Sequence, residues 1–255
     1  MNEFNHLKSF VIFVGNNRSG TSVVGAFLNA HPNVSCCFEY NFLKKWTSYD
    51  WERNQYFSKM IHHAALYQHI YVPHNMSHDR LKVIGDKKSG ETSKIMREWS
   101  ERNSLEYELN SLYGFLDLPI KFIQLCRNPF DVVARKIIAR TKRRKESTKI
   151  FKNCVNTYFQ NHELAQDIEN LSSSNGAFGF HRAYQEELIL KPEKTLKALC
   201  DFLEVETCPD HIENCTSILF SEPRRTSRRR KWTGEEESLI YEKMSQHEDL
   251  KHYVL

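Results

Sequence analysis

The chain lacks any cysteine pattern that would build a disulfide framework or a zinc knuckle. Its seven cysteines are odd in number, and no two of them are spaced as C-x-x-C. Five histidines also lack a carboxylate or cysteine companion at ligand spacing: His62, His63, His69, His74 and His78. We therefore predict no metal site, and we predict a reducing compartment, where free thiols are the rule.

Long hydrophobic runs are equally absent. The longest early apolar run is too short to cross a bilayer, and the first nine residues do not have the pattern of a signal peptide. Hydrophobic residues make up 40% of the 255 positions and charged residues 27%, which is ordinary for a globular protein. We predict a cytoplasmic protein without a membrane span. No linker divides the chain, so residues 1–255 are expected to form one domain.

Positive charge is concentrated rather than abundant. The net charge is +4, yet 11 of the 36 Lys and Arg residues fall in two runs, RTKRRK at residues 140–145 and RRTSRRRK at residues 224–231. Such runs bind nucleic acid, an anionic membrane surface or a polyanionic small molecule. Charge alone therefore keeps a nucleic-acid-binding protein among the candidates.

A phosphate-binding loop is indicated by the segment GNNRSGTS at residues 15–22. The segment follows the apolar run FVIFV and precedes helically spaced apolar residues, so backbone N–H groups and a helix N-terminus would face an anion. A nucleoside-triphosphate loop reads G-x-x-x-x-G-K-[ST]. Here Thr21 stands at the lysine position, and the basic residue, Arg18, lies inside the loop. This pattern favours a fixed phosphate held without a metal.

Further strand-like segments alternate with helical ones. The predicted strands after FVIFV are VSCCFEY (34–40), LKVIGDKKSG (81–90, turning at 85–87), IKFIQLCRNP (120–129) and AFGFHRAYQEEL (177–188). Helices are predicted over most of 92–116, from Pro129, over 148–171, from Pro192 and from Gly234. The alternation predicts an α/β fold, a three-layer P-loop-like domain with a central parallel sheet flanked by helices.

Four segments, in the family's order, resemble the PAPS-dependent sulfotransferases. FVGNNRSGTSVVGAFLNAHPNV is similar to the 5′-phosphosulfate loop, and QLCRNPFDVVARK is similar to the 3′-phosphate strand and helix. RAYQEELILKPEKTLKALCDFLEV is similar to the late strand–helix unit, and RRRKWTG to the basic element that closes over the nucleotide. The resemblance stretches from residue 11 to residue 234. It implies an α/β fold, PAPS as sulfuryl donor and PAP as product.

The resemblance assigns five loop residues to the 5′-phosphosulfate site: Arg18, Ser19, Gly20, Thr21 and Ser22. Physical reasoning agrees, because PAP carries two separate phosphates and needs two anion sites. Basic residues at two strand–helix junctions provide them, since ligands of open α/β sheets bind at the carboxyl ends of the strands.

Three more donor contacts are implied beyond the loop. Arg127 matches the family's 3′-phosphate arginine, and arginine holds phosphate through two parallel hydrogen bonds. The family's usual serine eight residues on is Arg135 here, and we predict that this second arginine also reaches the 3′-phosphate. Lys231, in the KWTG match, is implied to contact the donor phosphates. Asp131 is predicted to be a first-turn helix carboxylate.

Glu39 is the candidate general base. A glutamate at this place is the proposed base in the protein-tyrosine branch of the family, and the reaction needs one because the acceptor hydroxyl loses its proton as it attacks sulfur. Lys87 matches the lysine that stabilises the bridging oxygen, although Lys88 leaves the assignment open by one residue. Arg18 and Lys87 are expected to stabilise developing charge. A histidine is the alternative base.

We therefore expect a metal-independent sulfotransferase that moves the sulfuryl group of PAPS, in line, to a hydroxyl or amine of a small-molecule, glycan or peptide acceptor. The RSGT loop with Glu39 is closer to the carbohydrate and protein-tyrosine branch than to the phenol-type branch. The alternatives are a kinase that uses ATP and magnesium, a nucleic-acid-binding protein, and a catalytically inactive PAPS binder. Thr21 disfavours the kinase, and nucleic-acid binding leaves the four matched segments unexplained.

Overall fold

The computed structural model describes residues 4–66, 80–141 and 147–255. Within these residues, five strands form one sheet in which all neighbouring strands are parallel. In chain order the strands are β1 Ser9–Val14, β2 Val34–Phe38, β3 Val83–Lys87, β4 Ile120–Cys126 and β5 Phe178–Tyr184. They lie side by side in the order β2-β3-β1-β4-β5. The strand order reverses beside β1, the central strand, so the loop after β1 lies at the switch point where ligands of such sheets bind.

Helices cover both faces of the sheet, which confirms the predicted α/β fold with a central parallel sheet. In chain order they are α1 Thr21–Asn29, α2 Phe42–Trp46, α3 Arg53–Leu66, α4 Ser89–Arg102, α5 Leu105–Leu116, α6 Pro129–Thr141, α7 Thr148–Ser174, α8 Gln185–Leu190, α9 Pro192–Leu203, α10 Pro209–Ser217 and α11 Gly234–Ser245. The 3-10 helices are Thr226–Arg229 and Glu248–Leu250. Among the described residues, no helix has the length and hydrophobicity that crossing a membrane requires.

The side chains of β1 show how the two faces are covered. Phe10, Ile12 and Val14 pack in a cluster with residues of α3, α4, α5 and α7. Val11 and Phe13 pack in a second cluster with residues of α1, α9 and α10. Successive strand residues point to opposite faces, and both faces are apolar here, so the strand reads as a continuous hydrophobic run.

Strand β3 extends further than the sequence indicates. A turn is predicted through Gly85, Asp86 and Lys87, but all three residues are paired in the sheet. A Cβ at Gly85 would lie 2.5 Å from the carbonyl oxygen of Val11, so glycine is needed there for the close approach of β3 to β1. Lys87 is consequently the last strand residue, at the carboxyl edge of the sheet.

The carboxyl-terminal part differs from the expectation in two places. The strand predicted over residues 177–188 ends at Tyr184, because β4, its partner in the sheet, ends opposite it at Cys126. The segment between residue 206 and Gly234, for which no helix is predicted, contains α10, which begins at Pro209, a residue suited to the first turn of a helix. The predicted helix starts at Pro129, Pro192 and Gly234 are confirmed.

Candidate active site

The loop between β1 and α1 has the conformation of an anion cradle. Gly15 and Gly20 have φ values of 91° and 96°, and Arg18 has a φ of 72°, all in the left-handed region that glycine adopts without strain. No side chain caps the N-terminus of α1, so its first N–H groups are available to an anion. The hydroxyl of Ser19 is buried and has no hydrogen-bond partner among the described residues. A phosphate group fits this donor set.

Three polar side chains that sequence analysis does not identify stabilise the phosphate loop through hydrogen bonds. The amide of Asn16 donates to the carbonyl of Tyr158 at 2.9 Å, and its oxygen accepts from Lys136 Nζ at 2.6 Å. Asn161 donates to the Gly15 carbonyl at 3.3 Å. Lys136 is buried on the apolar face of α6, which lowers its pKa to about 7. In the sequence, the signal for this role is a lysine at a position that helical spacing places on the apolar face of α6.

The lowered pKa of Lys136 leads to a prediction about stability. Its pKa is about 7 in the fold against 10.5 for a free lysine, so the unfolded chain binds more protons between these values and stability rises with pH across that window. Replacement by methionine removes this pH dependence together with the hydrogen bond to Asn16. The Tm of Lys136→Met is therefore expected to rise relative to wild type, by roughly 5 °C, as the pH falls from about 10 to about 7. Scanning calorimetry over that pH range measures it. A Tm difference that does not change with pH would contradict the lowered pKa of Lys136.

Arg127 joins the phosphate loop to the basic segment at residues 224–229. It follows β4 and is buried, and its guanidinium donates to the carbonyl of Arg18 at 3.2 Å, to Thr226 Oγ1 at 3.2 Å and to the carbonyl of Arg224. Its Nε is buried without a partner among the residues that the structure describes. The guanidinium therefore keeps one donor uncommitted beside the loop.

The carboxylate of Asp131 stabilises this arrangement. It lies in the first turn of α6, as predicted, and it accepts a hydrogen bond from the backbone of Ser227 at 2.7 Å. It also lies 3.8 Å from the Arg127 guanidinium. Asp131 thus anchors the 3-10 helix that carries Thr226 against the candidate 3′-phosphate site.

The two remaining predicted donor contacts, Arg135 and Lys231, lie in different surroundings. Arg135 is exposed on α6 and lines the same cleft as Arg127. Lys231 is exposed and is not part of the cleft lining, so its contact with a phosphate stays a prediction. Its neighbour Trp232 instead packs on Phe130, at 5.3 Å between ring centroids. Earlier residues of the same basic run do line the cleft: Arg224, Arg225, Thr226 and Arg229.

The candidate base and the candidate lysine are in direct contact. Lys87 Nζ donates to Glu39 Oε1 at 3.0 Å and to the hydroxyl of Ser22 at 3.1 Å, and Lys88 Nζ donates to Glu39 Oε2 at 3.1 Å. Strand pairing explains the proximity. Phe38 lies opposite Lys87 in the sheet, so the residue after Phe38 emerges beside the end of β3.

Burial distinguishes the two lysines. The side chain of Lys87 is 3% exposed and touches both the phosphate loop and Glu39, whereas that of Lys88 is 27% exposed. Lys87 Nζ also lies 3.9 Å from the ring centroid of Phe38. Both lysines line the cleft, but Lys87 is the one that reaches Ser22. Of the two candidate lysines, Lys87 is therefore the one that links Glu39 to the phosphate loop.

The Glu39 carboxylate is held in its ionised form. Burial raises its pKa, but the hydrogen bonds and charges of Lys87 and Lys88 outweigh burial and bring the pKa below the usual value for glutamate. The backbone at Glu39 is left-handed, with a φ of 58°. Asp86, which sequence analysis does not single out, fixes this turn by accepting from the amides of Tyr40 at 3.0 Å and Phe42 at 2.8 Å.

Predicted site residues line one cleft of about 1470 Å³ at the carboxyl edge of the sheet, among them Arg18, Glu39, Lys87, Arg127 and Arg135. The acidic residues in its lining are Glu39 and Glu91. The basic residues in its lining are Arg18, Lys87, Lys88, Lys94, Arg97, Arg127, Arg135, Lys136, Arg140, Arg224, Arg225 and Arg229. Such an excess of positive charge suits a multiply charged anionic ligand.

The structure describes only part of the histidine-rich segment and of the first basic run. His62 is exposed, and His63 packs against Tyr40 at 5.1 Å between ring centroids. His69, His74 and His78 lie outside the described residues, as do residues 142–146. Of the first basic run, Arg140 lines the cleft.

Comparison with known proteins identifies the family. The fold defines an α/β protein with a candidate anion site after its first strand. The sequence model of the sulfotransferase domain matches residues 8–250, nearly the whole chain. The chain belongs to the sulfotransferase domain family. No curated protein sequence matches it.

Solved sulfotransferase structures share the fold at low identity. A sulfotransferase domain from the curacin biosynthetic pathway is 14% identical with a TM-score of 0.53, over 94% of this chain and 98% of that one. A mouse sulfotransferase complexed with PAP is 12% identical, with a TM-score of 0.53 over 97% and 89%. A sulfotransferase from Mycobacterium avium is 9% identical, with a TM-score of 0.53 over 98% and 78%. These similarities concern the fold.

Proposed function

We propose that this chain transfers the sulfuryl group of PAPS to a hydroxyl or amine of an acceptor and releases PAP. The observation that carries the proposal is the contact of Lys87 with both the phosphate-loop hydroxyl of Ser22 and the carboxylate of Glu39. A base, a cation and an anion cradle meet there in one cationic cleft. Residues 1–255 act in this proposal as one domain.

The donor would be held at two anion sites. Residues 18–22 and the N-terminus of α1 would bind the 5′-phosphosulfate, and the buried hydroxyl of Ser19 would gain a partner. Arg127, through its uncommitted Nε, and Arg135 would bind the 3′-phosphate. PAPS, when bound, supplies the sulfuryl group and the leaving phosphate.

Glu39 and Lys87 would divide the proton and charge handling between them. Lys87 Nζ, which already donates to Ser22 of the phosphate loop, would give up its contact with Glu39, and its charge would oppose negative charge on the leaving oxygen. Loss of that ion pair would raise the pKa of Glu39, because the hydrogen bond and charge of Lys87 contribute, with those of Lys88, to lowering it. Glu39 Oε then accepts the acceptor's proton more readily.

Calorimetric titration with PAP tests the donor site. We expect binding that does not depend on magnesium and that falls by roughly 100-fold in Arg127→Ala, because a charge-assisted hydrogen bond to phosphate is lost. Arg127→Lys keeps the charge and is expected to lie between the two. Arg53→Ala is the matched control, since Arg53 pairs with Asp117 away from the cleft.

Two results would contradict the donor site. Magnesium-dependent ATP binding without PAP binding would replace the proposal by the kinase hypothesis. Equal PAP affinity in Arg127→Ala would exclude Arg127 from the 3′-phosphate site. Circular dichroism of each variant separates lost binding from lost fold, because Arg127 also holds the backbone of residues 18 and 224.

The acceptor class is the finer part of the proposal. The Arg18 loop together with Glu39 supports an acceptor of the carbohydrate or protein-tyrosine type, as the sequence resemblance implies. Incubation with labelled PAPS and a panel of glycans, tyrosine peptides and phenols tests this assignment. Labelling of phenols alone would contradict it. The cytoplasmic location remains a prediction.

A further inference from the structure

The cleft carries more positive charge than the proposed donor uses. In the proposed function the phosphates of PAPS bind at residues 18–22, Arg127 and Arg135, and the segment that contains Arg224 and Thr226 is hydrogen-bonded to Arg127. Three further cations line the same cleft and make no hydrogen bond to the phosphate loop or to Arg127: Lys94, Arg97 and Arg140. Their charge is therefore available to a second anionic ligand.

Neutral side chains on α7 hold the two arginines in place. Arg97 Nη1 donates to Gln160 Oε1 at 2.7 Å, and Arg140 Nη1 donates to Cys154 Sγ at 3.4 Å. Among the described residues, neither guanidinium forms an ion pair with a carboxylate. The carboxylates that act on Arg97 do so only at longer range: Glu98, Glu101 and Glu163. Both arginines are thus oriented, while no direct contact neutralises their charge.

Helix α4 connects these cations to the candidate base. Lys88 precedes the helix directly, and its Nζ lies 3.1 Å from Glu39 Oε2. Glu91, Lys94 and Arg97 then follow at intervals of three residues, on the helix face that lines the cleft. Arg97 lies roughly 13 Å further along the helix axis than Lys88, at the usual rise per residue. A ligand that reaches from Glu39 to Arg97 must therefore be extended.

The lining on this side of the cleft is polar as well as cationic. Of the lining residues on α4, α6 and α7, only Ala139 has an apolar side chain, and Thr157 and Asn161 add a hydroxyl and an amide. The apolar lining residues lie mainly on α8 and after α10, where Arg224 covers Phe220: Leu188, Ile189, Ile218, Leu219 and Phe220. The described part of α4, α6 and α7 therefore suits an acceptor rich in hydroxyl groups better than an aromatic ring.

We propose that Lys94, Arg97 and Arg140 form an acceptor subsite that binds the carboxylate or sulfate groups of an acidic oligosaccharide. The proposal rests on the proposed function, because Glu39 and the donor site define where the acceptor hydroxyl lies. Arginine holds such oxyanions through two parallel hydrogen bonds. The oligosaccharide would lie along α4, with a hydroxyl of one sugar at Glu39 and an anionic group of another at Arg97.

Binding of four matched hexamers to the PAP-saturated protein tests the subsite. The probes are hexagalacturonate, sulfated maltohexaose, neutral maltohexaose and the peptide hexaglutamate, titrated by calorimetry at about 0.15 M salt. Saturating PAP occupies the cations of the donor site. We expect at least one acidic oligosaccharide to bind roughly 10-fold or more tightly than both maltohexaose and hexaglutamate. The tighter of the two acidic probes identifies the preferred anionic group.

Variants assign the binding to the subsite. The Arg97→Gln, Arg140→Gln double variant is expected to bind the acidic oligosaccharide roughly 10- to 100-fold more weakly, with PAP affinity within about twofold of wild type. Retained PAP affinity shows that the variant is folded. The Arg102→Gln, Lys152→Gln variant is the matched control, because it removes the same charge from exposed positions of α4 and α7 outside the cleft lining. It should bind the probe like wild type.

Four results would overturn the subsite. They are no binding of either acidic oligosaccharide, equal binding of maltohexaose, an affinity that the double glutamine variant leaves unchanged, and an equal loss in the control variant. Binding of hexaglutamate as tightly as the acidic oligosaccharides would replace the carbohydrate by an acidic peptide.

Failure of the proposed function gives a different result. Wild type would then not bind PAP at all, and the same titrations without PAP would still compare the double variant with its control. A probe affinity that depends on Arg97 and Arg140 in that comparison would support an anion subsite without the donor site, and one that does not would overturn both.

Discussion

Glu39→Gln is expected to lower kcat by about 10²- to 10⁴-fold while leaving PAP affinity nearly unchanged. Glutamine has the same size, and its one carbonyl oxygen can replace one of the two oxygens that accept from Lys87 and Lys88. The turn is retained because Asp86 holds it. It cannot take a proton, however, and the acceptor must lose one as it attacks. Steady-state kinetics with labelled PAPS and calorimetry with PAP measure the two effects separately.

The pH profile distinguishes Glu39 from a histidine base. A general base must be deprotonated, and the ionised state of Glu39 is favoured because Lys87 and Lys88 bring its pKa below the usual value for glutamate. The acid limb of kcat/KM is therefore expected below about pH 4.5, whereas a histidine would place it near pH 6.5. Glu91→Gln is the control, since Glu91 lines the same cleft without contacting either lysine in the hydrogen bonds described.

An active Glu39→Gln enzyme with an acid limb near the pKa of histidine would overturn the assignment. His63 would then be the next residue to replace, because it packs on Tyr40, the neighbour of Glu39. Loss of PAP binding in Glu39→Gln would instead indicate that the carboxylate supports the loop rather than the proton transfer.

Local signals in the sequence were sufficient for the sheet and the phosphate loop. Buried parallel strands are continuous apolar runs, and GNNRSGTS follows such a run directly, so both could be identified from neighbouring residues. The contact of Glu39 with Lys87 is different. It depends on the pairing of Phe38 with Lys87 across two strands, and the predicted turn at Gly85 concealed the end of β3.

Residues that act across segments were not predictable in the same way. Asn16, Lys136 and Asn161 come from the loop, α6 and α7, and their roles arise only when these elements pack together. Arg127 was predicted as a phosphate ligand, but its hydrogen bonds to backbone carbonyls of two distant loops follow from tertiary structure. A family resemblance transfers motif positions, whereas the polar network behind a motif belongs to this chain's own packing.

Lys87→Met is expected to lower kcat by about 10²- to 10³-fold, the loss typical of removing one charge-stabilising donor. Lys88→Met is the matched comparison, and a smaller loss is expected because Lys88 is more exposed and is not hydrogen-bonded to Ser22.

Gly25→Ala tests the position of Lys87 indirectly. A Cβ there would lie 2.7 Å from Cγ of Lys87, so the lysine must shift and kcat should fall without loss of a charge.

The two catalytic variants should not be independent. Without Lys87, burial and the remaining Lys88 set the pKa of Glu39, so that pKa rises and the acid limb of kcat/KM in Lys87→Met moves to higher pH. The Lys87→Met, Glu39→Gln double variant should lose less activity than the product of the single losses, because residues in one ion pair act as a unit. Strictly multiplicative losses, or a larger effect from Lys88→Met, would assign the charge on the leaving oxygen to a different cation.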